Sequence, residues 1–241
     1  MVWKIILAIA LGYFVGCINP TYIMGRMHGI DVRKSGSGNA GASNGLILMG
    51  KWVGIVSALF DIFKAATVMW LAPVIFGDIL CIAEVTGVAC VMGHIFPIFM
   101  KFKGGKGLAC LGGVLLAIDW RLLLILLAIE IAVVLIVDYI CIVPITASLA
   151  LPILYGVFGN LGLGWLRRAE GGFVGVWIFA ALAVVIVLKH LQNIYRVATH
   201  TEMPFSFLWS KDKEGDKARI ERNRELLREK RLAKQQKGGQ A

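Results

Sequence analysis

The sequence predicts an all-α integral membrane protein, a bundle of seven transmembrane helices with its N-terminus outside and its C-terminus in the cytoplasm. Three observations lead there. Of its 241 residues 58% are hydrophobic, with a mean hydropathy of +0.77, whereas soluble domains are about 45–50% apolar. The excess is gathered into blocks of ~17–23 apolar residues, the length that crosses a bilayer core as a helix. Lysine and arginine crowd into alternate connections, the pattern that orients helices in a membrane.

The blocks fall in order along the chain. Residues 2–24 form the first span, reached almost directly from Met1 without a small-residue cleavage site, so it reads as a membrane helix rather than a removed signal. Residues 26–51 are a polar loop carrying Arg26, Arg33, Lys34 and Lys51 around a glycine run. The second span, 52–76, is interrupted by Asp61 and Lys64; a turn at Gly77-Asp78 leads to the third, 79–100. A basic run from Lys101 to Gly107 follows. The fourth span, 108–118, ends at Asp119-Trp120-Arg121 and is short for a crossing, which thinning, tilt or enclosure by protein would accommodate. Residues 122–137 and 139–159 are the next two, 160–171 a loop with Arg167 and Arg168, and 172–190 the last. The membrane domain thus occupies 1–205, and 206–241 is a basic tail, helical around 217–236.

Seven crossings place the loops 26–51 and 101–107 and the tail on one side, where Arg26, Arg33, Lys34, Lys51, Lys101, Lys103 and Lys106 join the tail's many cations. The other side holds only Lys4, Arg121, Arg167 and Arg168, so the richer side is cytoplasmic. The net charge of +10 therefore needs no nucleic acid to explain it; the bilayer is the partner it implies. Cys17, Cys81, Cys90, Cys110 and Cys141 all lie in apolar blocks without a C-x-x-C pair and read as reduced packing residues.

Three polar clusters share the basic side. Gly36-Ser37-Gly38-Asn39-Ala40-Gly41-Ala42-Ser43-Asn44 is uncharged, with small residues and short hydrogen-bonding groups. Backbone amides in such a loop form a concave nest for phosphate oxygens; a flexible linker has the same composition. Gly93-His94-Ile95-Phe96-Pro97 precedes Lys101-Phe102-Lys103-Gly104-Gly105-Lys106-Gly107, where glycines flank three lysines. Lysine supplies the point charge for phosphate and glycine the close approach. The lysines alone suit an ordinary cytoplasmic flank, and no G-x-x-x-x-G-K-[ST] loop is present. At the end of the last span His190, Asn193 and Arg196 are spaced to share one helix face. Asp61 and Lys64, three apart, read as an intramembrane pair lining the site, while Glu130 has no visible partner.

In order, spacing and common side these clusters resemble the three motifs of the bacterial acyl-phosphate-dependent glycerol-3-phosphate acyltransferases, the PlsY type. The resemblance runs to about residue 205, with His94-x-Phe96-Pro97 and Lys101–Gly107 its most diagnostic piece. It implies a seven-span enzyme of the bacterial cell membrane whose site opens to the cytoplasm and which needs neither metal nor coenzyme. It implies transfer of a fatty acyl group from acyl phosphate to the 1-hydroxyl of glycerol 3-phosphate, with the enzyme that makes acyl phosphate as a protein partner. Carried onto this sequence, it makes Ser37, Lys106, His190 and Asn193 the catalytic candidates. Gly36, Gly38, Asn39, Gly41, Asn44, His94, Lys101, Lys103, Gly104, Gly105, Gly107 and Arg196 become the substrate-binding candidates. The His-x4-Asp pair of soluble-headed acyltransferases is missing, because Arg33, Phe99, Tyr195 and Phe205 stand at that offset from the four histidines.

The chain departs from the family pattern at several places. Ile47 replaces an arginine, Asp138 another, and Tyr139-Ile140-Cys141-Ile142-Val143-Pro144 a serine-rich stretch; His200 replaces a glycine, and Lys64-Ala65 a Lys-Gly. A transporter using Asp61, Lys64 and Glu130 as a polar path, and a non-catalytic paralogue that binds acyl phosphate, are the competing readings, although no internal repeat is visible.

Overall fold

The computed structural model describes residues 1–160 and 172–238; the expected loop with Arg167 and Arg168 lies outside the described residues. All regular structure among these is helical. Helix α1 (Val2–Cys17) breaks at Ile18-Asn19, and α2 (Pro20–Met27) continues the first span. The break is written locally: the Asn19 side chain accepts from Tyr22 N at 2.8 Å, and Pro20 stands at the first helical position, where its missing N–H costs nothing. Helices α3 (Ala42–Met49) and α4 (Lys51–Phe76) follow, then α5 (Ile82–Ile95), α6 (Leu108–Ile118), α7 (Trp120–Val137), α8 (Val143–Asn160), α9 (Gly172–Ala198) and α10 (Lys213–Gly238).

Among the described residues six helical segments are long and apolar enough to cross a membrane: 2–27, 51–76, 82–100, 120–137, 140–157 and 172–198. The seventh expected crossing is α6, whose 11 residues reach about 16 Å, roughly half a bilayer core. Its length is tolerable because protein surrounds it: Cys110, Leu111, Val114, Leu115, Ala117 and Ile118 are buried in the central apolar cluster. The expected polar loop 26–51 is the other difference, since α3 forms inside it directly after the glycine run.

Burial follows a fourfold spacing along the helices. On α7 Leu122, Leu126, Glu130 and Val134 are buried, while Leu124, Leu127, Ile131 and Leu135 point outward toward lipid. Glu130 has a partner after all, accepting from Thr146 Oγ1 of α8 at 2.6 Å. A second buried carboxylate, Glu84, accepts from Tyr155 Oη at 2.6 Å and ties α5 to α8. Helices α1 and α5 touch backbone to backbone: a Cβ on Gly12 would sit 2.2 Å from Thr86 O, and one on Gly16 2.1 Å from Cys90 O. Small residues four apart let membrane helices approach this closely.

The Asp61–Lys64 pair is not exposed, although Lys64 also borders an apolar groove beside α1 and α4. It is buried between helices, with Lys64 Nζ 2.6 Å from Asp61 Oδ1 and donating to the carbonyls of Gly16 (3.0 Å) and Ile18 (2.7 Å) at the α1 break. His94 Nδ1 completes the cluster at 3.3 Å from both Lys64 Nζ and Asp61 Oδ1. Glu130 is partnered elsewhere, by Thr146 of α8.

Removing one member of a buried ion pair commonly costs about 3–5 kcal/mol, because the partner is left charged and alone. Lys64→Met should therefore lower the thermal midpoint in detergent strongly, and Asp61→Asn with Lys64→Met should lose less than the two single changes added together. A Lys64→Met protein melting like the parent would show that the cluster does not hold the break.

Candidate active site

The three sequence clusters meet at one end of the bundle. The glycine run is shaped from inside by Asn44, the third residue of α3 and fully buried. Its Oδ1 accepts from Ser37 N at 2.9 Å, and its Nδ2 donates to Val32 O (2.9 Å) and Ser35 O (3.1 Å). Asn44 is thus occupied in forming the loop, not turned to a ligand. Gly36 adopts φ +60°, and a Cβ there would meet Asn44 Oδ1 at 2.3 Å, which accounts for glycine at that position. Asn19 fastens the far end of the run, donating to Ala40 O at 2.8 Å. The amides of Ser37 and Gly38 are spent inside the loop, on Asn44 Oδ1 and Ser35 O, so the expected nest lacks these two donors. The side chain of Ser37 stays exposed, while Asn39 and Gly41 are half-buried beside it.

Arg33 joins this loop to the second. Its guanidinium grips Asp31 through Nε (2.9 Å) and Nη2 (2.8 Å), stacks on Tyr22 at 4.9 Å, and donates from Nη1 to Met100 O at 3.0 Å. Those hydrogen bonds hold the Asp31 carboxyl far below the usual carboxylate range.

The second cluster folds back along the end of α5. Phe102 N donates to Pro97 O, Gly104 N to Ile95 O, and Gly105 N to His94 O. Lys101 and Phe102 are both left-handed, at φ +55° and +59°, a costly backbone for side chains with a Cβ. Lys101 and Lys103 point outward. His94 is buried against the loop: a Cβ on Gly105 would fall 2.0 Å from His94 Nε2, and one on Gly104 2.0 Å from His94 O. The two glycines let the turn lie against the imidazole. The turn then delivers Lys106, half-buried, with left-handed Gly107 (φ +88°) opening α6.

Lys106 reaches across to the third cluster. Its Nζ donates to Asn193 Oδ1, a link between residues 87 apart in sequence. Asn193 Nδ2 passes the chain on to Glu202 Oε1 at 3.0 Å, and Glu202 Oε2 lies 3.9 Å from Arg196 Nη1. Burial lowers the Lys106 amine below the ordinary lysine value of 10.5, opposed chiefly by the Glu202 carboxylate. One turn before Asn193, buried His190 donates from Nδ1 to Ile186 O at 2.8 Å. That bond fixes the tautomer and leaves the lone pair on Nε2, the arrangement of a general base. Lys189 caps the same end, its Nζ 4.1 Å from the Phe96 ring centre.

Glu202, Asn19 and Arg33 were not among the sequence candidates. Glu202 had a signal, since it closes the third motif; the other two act through backbone carbonyls far along the chain. Of the residues able to hold a metal, Asp61, His94 and Cys110 bring ligand atoms within 4.8 Å of one another. The Lys64 ammonium occupies the cation position there, 2.6 Å from Asp61 Oδ1, so this set is not a metal centre.

Residues 6–200 match the family described as glycerol-3-phosphate acyltransferase. The chain is 34% identical to glycerol-3-phosphate acyltransferase 1 of Oceanobacillus iheyensis, over 86% of this chain and 97% of that protein. It is 36% identical to glycerol-3-phosphate acyltransferase 2 of Thermotoga maritima, over 80% and 92%. Its fold is similar to the crystal structure of PlsY (YgiH), an integral membrane glycerol 3-phosphate acyltransferase, in the glycerol 3-phosphate form. The TM-score is 0.72 at 27% identity, covering 85% of this chain and 96% of that one. The lysophosphatidic acid form of PlsY matches with a TM-score of 0.71.

Proposed function

The chain belongs to the glycerol-3-phosphate acyltransferase family, and from that premise we propose that it moves a fatty acyl group from acyl phosphate to the 1-hydroxyl of glycerol 3-phosphate, giving lysophosphatidic acid. Acyl transfer to glycerol 3-phosphate goes with the family; the donor, the residue roles and the orientation are our inference. The observation that carries it is the Lys106–Asn193–Glu202 chain beside His190, which joins the second and third motifs into one basic, half-buried site.

The chemistry needs few groups. The hydroxyl oxygen attacks the acyl carbonyl carbon and forms the new ester bond, while the acyl–oxygen bond breaks and phosphate departs with the electron pair. The hydroxyl proton passes to His190 Nε2, whose other nitrogen is held as donor by Ile186 O. Lys106 neutralises phosphate charge, and Asn193 aims its ammonium. Ser37, exposed on the glycine run, supplies a hydroxyl to the second phosphate. The donor's chain is apolar and belongs in lipid. A groove of about 380 Å³ beside α1 and α4, bordered by Leu11, Val15, Phe60, Phe63 and Leu71 with Lys64 as its one charged residue, is of the right character for it.

Charge orients the whole. With α6 counted as a crossing, seven passes put Ser43, Lys103 and the tail on the cytoplasmic face of a bacterial cell membrane and the N-terminus outside. The membrane domain then runs to residue 205, and 206–241 is a separate basic tail. Cysteines introduced at Ser43, Lys103 and Lys211 should all be labelled from the cytoplasm. Labelling at Lys103 from the opposite face would break the shared site.

His190→Ala should lower kcat by about 10²–10⁴-fold, the usual effect of losing a general base. Asn193→Ala should raise KM for glycerol 3-phosphate by roughly one decade, while binding of acyl phosphate survives in both. Folded variants with unchanged turnover and unchanged glycerol 3-phosphate dependence would exclude these roles.

A further inference from the structure

The segment between α9 and α10 carries Glu202, and it is held from two sides by residues outside the three motifs. On one side stands Asp138, in the turn between α7 and α8. Its backbone carbonyl accepts from Phe205 N at 2.7 Å, its Oδ1 from Ser206 N at 2.6 Å and its Oδ2 from Ser206 Oγ at 2.7 Å. On the other side lies α10, which is beyond the family match at residues 6–200. Ile220 of α10 is buried, Asn223 Nδ2 donates to His200 O at 3.0 Å, and Arg224 Nη2 donates to Thr201 O at 3.2 Å. Positions 220, 223 and 224 share one helix face, so α10 lies along the segment rather than projecting from it.

Two departures from the family pattern lie in this contact. His200 has φ +53°, a left-handed backbone that glycine takes freely and histidine only under strain. Its own carbonyl is the one that Asn223 holds. Asp138, standing for an arginine, is the residue that fastens Ser206. Under α10 a cavity of about 660 Å³ is bordered by Asp138, His200, Glu202, Ser206, Arg219 and Asn223, so the same residues frame an approach to Glu202.

We propose that Asp138 and the tail helix form a two-sided clamp on residues 199–206 that positions Glu202, and through it Asn193 and Lys106, for glycerol 3-phosphate. Asp138, Asn223 and Arg224 are positioning residues in a machine whose site is the one proposed above, and the clamp rests on that reading. The tail is then a working part of this enzyme rather than a solubilising extension.

The test uses the full-length purified protein and steady-state kinetics in both substrates. The double variant Asn223→Ala/Arg224→Ala, placed outside the membrane bundle, should raise KM for glycerol 3-phosphate about fivefold, the loss of one ordinary hydrogen bond, and leave KM for acyl phosphate unmoved. Asp138→Ala should do the same. Asp138→Asn should restore the parent value, because an amide still accepts from Ser206 N and donates to Ser206 Oγ. Arg224→Lys should likewise rescue, since an ammonium still donates to Thr201 O. Asn193→Ala serves as the reference. If Asn193→Ala raises KM for glycerol 3-phosphate and the tail double variant does not, the clamp is overturned and the site stands. If Asn193→Ala itself leaves that KM unchanged, the site reading fails and the clamp with it. A tail variant that lowers only thermal stability also overturns the clamp.

Discussion

One buried ammonium carries much of this structure. Lys64 binds the Gly16 and Ile18 carbonyls where the first span breaks, and it pairs with Asp61 beside His94. A charged group inside a membrane protein is expensive unless partners surround it, and this one has a carboxylate and two carbonyls. Both loops of the site depend on what it fixes. The break it holds presents Asn19, which fastens the glycine run at Ala40. The imidazole it touches is the surface on which Gly104 and Gly105 lie, and the next residue is Lys106. Interior electrostatics are thereby converted into the placement of two polar loops at the membrane face.

The outer plan of the fold was legible because a bilayer demands long apolar helices, and such helices are plain in the sequence. The limits of that legibility are physical. Helix α3 was read as loop, since an eight-residue helix beside glycines has no length or periodicity to announce it. Glu130 has no visible partner in the sequence because Thr146 approaches it only when α8 packs. Within the site, residue types were legible and directions were not. His94 and Asn44 are substrate-binding candidates by sequence; the fold adds that one braces a turn and the other bonds within its own loop. Composition names a polar residue at a membrane end; only packing decides whether it faces inward.

Substrate chemistry accounts for the remaining division of labour. A phosphate-bearing acceptor comes from water, and a long acyl chain comes from lipid. The proposed site accordingly lies where the basic loops meet the helix ends, with Lys106 drawn partly inside so that its charge is less screened by water. Ile47, where the family resemblance leads one to expect arginine, is exposed on α3 and offers no charge.

The measurement that bears most directly on this account is acyl transfer by the purified protein, supplied with labelled glycerol 3-phosphate and either acyl phosphate or an acyl thioester. Labelled lysophosphatidic acid should form with acyl phosphate and should be absent with the thioester. Product from the thioester alone, or no product from acyl phosphate with folded protein, would contradict it.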